Sequence, residues 1–396
     1  MAERDELIRL TLQQLDARRV SRRRFMGRAG LVTGGLFLSP AVLAACGSSD
    51  SDTSSGSDTT AGQSDSTLRI SNWPLYIDED TVPNFQDASG LSVTYTEDVN
   101  DNEEYFAKIQ EPLSRGEDIG ADLFIVTDFL VARLITLGWL AEIDPANVPN
   151  KTNLVENLAN VEYDPDRTYS LPWFSGMSGL AYNKAAVGRE ITSIDDLFDP
   201  EFKGKVSMFS DLRDGLGQIM LWQGNSPEDP TEEAVQQAAD AVQEQVDNGQ
   251  IRRFTGNDYG QDLSSGDLVI AQAYSGDVAQ LQLDNPDLEF VVPESGGIQF
   301  SDNMVMPTTT RNKAGAEEWM NFIYDRVNYA PLTAFVQYFP VVSDIGKELE
   351  EIDPTVAENP LINPPQSTLD NLVIWATLTD EQDVAYAGIY SAVTSG

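Results

Sequence analysis

From Thr67 onward, the apolar positions fall into two alternating periods. TLRISN (67–72) and LSVTYTED (91–98) place apolar side chains at every second residue, the spacing of a half-buried strand, and a helix is predicted between them near 80–89. A further helix from about 102 to 115 leads into ADLFIVTD (121–128), whose unbroken apolar run suits a strand buried on both faces. FLVARLITLGWL then returns to helical spacing and stops near Gly138. This βαβαβα order predicts parallel strands joined by right-handed crossovers. The pattern restarts with KVSMFSD (205–211) as strand, LRDGLGQIMLWQG as helix and a long helix near 230–248. LVIAQAYSGD (268–277) and LEFVVPES are predicted as further strands. Two α/β halves with loops at their strand ends predict a ligand cleft between them.

The first 66 residues carry a different pattern. SRRRFMGRAG (21–30) is basic, and LVTGGLFLSPAVLAAC (31–46) is a short apolar segment ending in small residues, the layout of an export signal. Arg22 and Arg23, followed by Phe25 and Met26, resemble a twin-arginine signal, and LAAC resembles a lipoprotein cleavage site that leaves Cys46 as a lipid-bearing amino terminus. The apolar segment, interrupted by Pro40 and glycines, falls short of the roughly 20 residues a membrane span needs. GSSDSDTSSGSDTTAGQSDS (47–66) has nothing apolar larger than alanine and reads as a tether. These features predict a protein outside the cytoplasm, held to a membrane through lipid on Cys46.

Composition narrows the chemistry. The sequence has no histidine, which excludes histidine-based triads and most catalytic zinc sites. Cys46 is its single cysteine, so no intrachain disulfide or cysteine-rich metal cluster is expected, and no metal or cofactor is predicted. Residues 47–396 hold 17 basic and 60 acidic side chains, a net charge of −43, which argues against nucleic-acid binding. Such acidity suits either a cationic ligand or a surface adapted to high salt.

Within the folded part, Trp73 and Tyr76 flank Pro74 in the first loop after the first strand. They read equally as rings pinning a loop to the core and as a platform for something flat, apolar or cationic. Asp211-x-x-Asp214 opens a helix, where Asp211 as N-cap with an acid three residues on is ordinary capping. Asp277 and Asp302, taken alone, read as solvated loop acids.

Several blocks, in order, then add a resemblance: SNWPLYI, DLFIVTDFLV, YSLPWFSGMSGLAYN, DPEFKGKVSMFSDLRD, VIAQAYSGDVA, ESGGIQFSDNMVMP and NKAGAEEWMNFI. Over about 67–396 the chain resembles the periplasmic polyamine-binding proteins, the spermidine/putrescine receptors of ABC importers. The resemblance implies a two-lobe, type 2 periplasmic-binding-protein-like α/β fold, each lobe a mixed sheet flanked by helices. It implies lobe 1 at 67–176 and 303–348, and lobe 2 at 177–302 and 349–396. It implies an aromatic site of Trp73, Tyr76, Tyr274 and Phe300, with Asp211, Asp214, Asp277 and Asp302 holding the ammonium groups. Thr127, Phe129 and Phe339 complete the implied set. Pro74 stands where a hydroxyl side chain is usual, Phe129 and Phe339 stand where tyrosines occur, and Ala376 stands where one receptor type has glutamine, so a more apolar pocket is expected. ABC permease and ATPase subunits are the implied partners of a monomeric receptor.

Two other classes compete. A secreted hydrolase is disfavoured because the sequence holds no GxSxG elbow, no phosphate-binding loop and no histidine base. A receptor for another organic cation or for a sugar shares the ring-lined cleft and is the alternative reading.

Overall fold

In the computed structural model, residues 66–395 of the protein are described. The signal at 1–46 with Cys46, and the tether apart from Ser66, lie outside the described residues. Ten strands form one sheet: β1 (Thr67–Asn72), β2 (Ser92–Glu97), β3 (Leu123–Thr127), β4 (Ser170–Asn183), β5 (Val206–Phe209), β6 (Ile251–Thr255), β7 (Ile270–Tyr274), β8 (Leu288–Val291), β9 (Gly297–Val305) and β10 (Leu372–Val373). Their order is β2-β1-β3-β9-β4-β7-β5-β6, with β8 on β4 and β10 on β9. β1, β2 and β3 are parallel, as are β5, β6 and β7. β4 and β9 run antiparallel to each other and carry the sheet from one half into the other.

The helices used below are α1 (Thr81–Ser89), α2 (Asn102–Ser114), α3 (Asp128–Thr136), α4 (Leu212–Trp222), α5 (Glu232–Asp247), α6 (Tyr259–Ser265), α7 (Ser275–Gln282), α8 (Lys313–Ile323), α9 (Arg326–Val336) and α10 (Asp380–Thr394). Their starts follow local chemistry. The Asp101 side chain accepts from the Glu103 and Glu104 amides at the start of α2, and Thr231 accepts from the Ala234 amide at the start of α5. Helix α5 buries Ala234, Val235, Ala238, Ala239 and Val242, one stripe at helical spacing. β3 is buried at all five positions, as its apolar run predicts.

Burial divides the apolar residues into clusters. The first gathers β1, β3, α1, α3, α8 and α9, and the second gathers β5, α4, α5 and α10. A third, smaller cluster packs α6 and α7 against Phe209 and β7. Leu349, Val356 and Ile362 belong to the first cluster, and the next buried apolar residue, Trp375, belongs to the second. The chain up to Ile362 thus contributes to the first apolar cluster. The strand predicted over 268–277 stops early: it ends at Tyr274, and α7 begins at Ser275. Asp277 accordingly sits in the first turn of a helix, and Asp302 sits inside β9; neither is a solvated loop acid.

Candidate functional site

The strand ends supply the site. Trp73 follows β1, Thr127 ends β3, Asp214 lies in the helix after β5, and Tyr274 ends β7. Carboxyl ends of parallel strands are where open α/β sheets gather ligand-binding loops. β9 adds Phe300 and Asp302 from between the two halves. These residues line one cleft together with Tyr76, Asp277, Pro74 and the unanticipated Asn257 and Tyr338.

Leu75, between Pro74 and Tyr76, adopts φ of 58°, a left-handed conformation that non-glycine residues occupy at a cost. The turn brings both flanking rings to the cleft. The Tyr76 hydroxyl donates to Asp302 Oδ2 at 2.8 Å, and the Thr127 hydroxyl donates to Asp302 Oδ1 at 2.8 Å. Thr127 faces Asp302 across the β3–β9 ladder, and Asn102 donates to the Thr127 hydroxyl at 2.9 Å. On the opposite wall, the Tyr274 hydroxyl donates to Asp214 Oδ2 at 3.2 Å, and the Tyr274 ring stacks on Phe209 with centroids 4.4 Å apart. Asp277 accepts from the Tyr338 and Tyr259 hydroxyls, each at 2.7 Å, and from Asn257 Nδ2 at 3.0 Å.

The electrostatics of this cleft are one-sided. No lysine or arginine lines it. Burial pushes the Asp302 carboxyl up to about 7, with Asp128 and Asp214 adding to the shift against the bonds from Thr127 and Tyr76. Burial likewise raises Asp214 and Asp277 to about 6 each. The four tyrosine hydroxyls that serve them, on Tyr76, Tyr259, Tyr274 and Tyr338, are held well above their ordinary value by burial and then by the neighbouring aspartates. They remain protonated donors. A buried carboxylate without a counter-ion is strongly disfavoured, and an incoming cation relieves that cost. Among the described residues, no group of three or more Cys, Asp or Glu side chains is arranged to hold a metal ion.

Three residues of the expected set do not line the cleft. Asp211 caps α4, its Oδ1 accepting from the Arg213 and Asp214 amides at 2.8 and 3.0 Å, while its buried Oδ2 has no partner. Phe129 lies under the Arg213 guanidinium, 3.8 Å from carbon to ring centroid. Phe339 bridges to Ser175 through its backbone and is buried in the core. Its neighbour Tyr338, at a bend after α9, lines the cleft instead. The one available signal for Tyr338 was an aromatic pair directly after a helix end.

The chain is 26% identical over 344 residues to a spermidine/putrescine-binding periplasmic protein of Haemophilus influenzae, covering 87% of this chain and 92% of that one. It is 27% identical to a putrescine-binding periplasmic protein of Escherichia coli, covering 83% and 92% of the two. The solved structure of a spermidine/putrescine ABC transporter protein from Listeria monocytogenes superposes with a TM-score of 0.74 at 25% identity, covering 83% of this chain and 99% of that one. The two-lobed α/β architecture is thus shared. The family described as bacterial extracellular solute-binding protein matches residues 81–364, most of the sequence, and the chain belongs to that family.

Proposed function

We propose that this protein is an extracytoplasmic receptor that binds a polyamine, putrescine or spermidine, and delivers it to the permease and ATPase subunits of an ABC importer. The observation that carries this reading is a ring-lined cleft with two buried carboxylates, Asp214 and Asp302, a third that is half-buried, Asp277, and no basic residue in its lining. A polyamine supplies positive charges spaced along an apolar stem, and it matches both features. Rings such as Trp73 and Tyr274 add cation–π contacts of about 0.5–2 kcal/mol each. The names of the relatives point to the same ligand class. The receptor acts as a monomer without catalysis, exported by the twin-arginine route.

The alternative, another organic cation, is favoured by one atom. The Trp73 indole nitrogen is buried without a hydrogen-bond partner, and a fully protonated diamine has no acceptor to offer it. Calorimetric titration with putrescine, spermidine, an acetylated diamine and maltose separates these readings. Binding of either polyamine supports the proposal. Binding of maltose alone replaces it with a sugar receptor, and binding of the acetylated diamine alone replaces it with the second reading.

Anchoring through Cys46 is part of the same proposal. The Cys46→Ser variant is expected in the soluble fraction, with ligand affinity unchanged, because one lipid-bearing terminus is the only anchor the sequence suggests. Retention of the variant in salt-washed membranes overturns it.

A further inference from the structure

The turn that carries the first two rings is held against its own preference. Pro74 and Leu75 are its central residues. A proline followed by a left-handed residue is the layout of a type II turn, whose second central position ordinarily takes glycine or asparagine. Here that position is Leu75, at φ of 58°. A non-glycine residue keeps this conformation only where its surroundings impose it.

Four side chains grip the backbone of the turn. Asn72 Oδ1 accepts from the Trp73 amide at 2.8 Å, and Glu97 Oε1 accepts from the Leu75 amide at 3.3 Å. The Leu75 carbonyl accepts from Gln280 of α7 at 3.4 Å, and the Tyr76 carbonyl accepts from the Trp173 indole at 3.2 Å. Asn72 and Glu97 face each other on the last rung of the β1–β2 ladder, so one rung supplies both amide acceptors. Asn72 is fully buried, and its Nδ2 has no hydrogen-bond partner. A buried amide left half-satisfied costs the fold stability, so this asparagine serves the turn better than it serves the core.

The two rings differ in what fixes them. The Tyr76 hydroxyl is bonded to Asp302, whereas the buried Trp73 indole nitrogen has no partner. No polar contact of its own orients the Trp73 ring, so its direction is set by packing and by the turn. Glu97 is not part of the cleft lining.

We propose that Glu97 is a positioning residue of the site: its carboxylate holds Leu75 in the left-handed conformation and thereby fixes the Trp73 ring at the cleft. This rests on the polyamine reading above. Glu97 acts through the turn and not by contact with the ligand.

The test compares Glu97→Gln with Glu97→Ala in the full-length chain, each alone and combined with Leu75→Gly, by calorimetric titration with putrescine. Glu97 is exposed on the edge strand β2, so these variants are expected to fold as the parent does. Glutamine keeps the acceptor oxygen and removes the charge, so long-range attraction by the carboxylate is lost equally in both. One hydrogen bond corresponds to about a 2- to 12-fold change in equilibrium, and Glu97→Ala is expected to bind more weakly than Glu97→Gln by that factor. Leu75→Gly frees the turn of strain, so in that background the two variants are expected to bind alike. Equal affinities with Leu75 in place, or an unchanged gap in the Leu75→Gly background, overturn the positioning role. If neither putrescine nor spermidine binds the parent, the polyamine reading fails. The hold on the turn is then read without ligand, from amide hydrogen exchange at Trp73 and Leu75. Faster exchange at both in Glu97→Ala than in Glu97→Gln supports it, and equal rates at Trp73 overturn it.

Discussion

Asp214 and Arg213 are neighbours at the start of α4, and they sit in opposite electrostatic surroundings. Asp214 faces a cleft in which three carboxylates are met by hydroxyls and one amide but by no cation. Arg213 turns the other way, bonding Asp383 of α10 at 2.6 Å and covering the Phe129 ring of α3. Arg133 of α3 approaches the same Asp383 at 3.5 Å, pairs with Glu103 at 3.2 Å, and lies 3.8 Å over Phe106. Each of these four charges, Arg213, Asp383, Arg133 and Glu103, has an opposite charge beside it, as the energetics of burial demand. The cleft departs from that rule three times within one small volume. A fold that balances charge in its seam and leaves it unbalanced in its cleft marks the cleft as the place where a cation is missing from the chain's own side chains.

That contrast breaks first at the seam. Arg213→Ala leaves Asp383 with its more distant partner and uncovers Phe129. Breaking a buried pair from one side typically costs about 3–5 kcal/mol, so thermal unfolding of Arg213→Ala is expected several degrees below the parent. An unchanged transition would show that the seam contributes no more than an exposed ion pair.

The next effect belongs to the cleft. Asp302→Asn preserves shape and removes one charge. Loss of one partner of a desolvated charge pair costs about 2–5 kcal/mol, or roughly 30- to 5000-fold in affinity for putrescine or spermidine by calorimetry. In the absence of ligand the same substitution should not destabilise the fold, because it removes an uncompensated charge. Parent-like affinity in Asp302→Asn would remove this residue from the site.

The smallest effect is graded with pH, and its sign follows from burial. Asp302, Asp214 and Asp277 hold their protons up to about 7, 6 and 6 in the fold, but release them near 4 once unfolded. Between about pH 4 and 7 the folded form therefore binds more protons, and these groups make the unliganded protein less stable as pH rises. A cationic ligand needs the ionised carboxylates, so its affinity rises over the same window, with proton release on binding near pH 6–7. Titrations in buffers of different ionisation enthalpy measure that release. Affinity independent of pH between 5 and 8 would contradict the carboxylate assignment.

Much of this site was legible in the sequence. Trp73, Tyr76, Thr127, Asp214, Tyr274, Asp277, Phe300 and Asp302 all line the cleft. The resemblance of the sequence blocks picked them out, whereas pattern alone read Asp277 and Asp302 as solvated loop acids, although Asp302 lies inside β9 and Asp277 in the first turn of α7. The capping of α4 by Asp211 was legible without the resemblance, since an N-cap needs only its own next three residues.

What the sequence by itself determined is the alternation of strands and helices, the acidic and histidine-free chemistry, and the blocks that carry the family resemblance. The tertiary structure alone decided which nearby residues line the cleft: Thr127 and not Phe129, Asp214 and not Asp211, and Tyr338, which the sequence did not single out, and not Phe339. Those choices depend on partners far along the chain. Tyr76 meets Asp302 across 226 residues, Phe129 is covered by an arginine of α4, and Tyr338 finds room only over Gly276. Periodicity and capping are settled within a few residues, whereas the direction of a cleft side chain is settled by long-range packing, which leaves no short-range trace in the sequence.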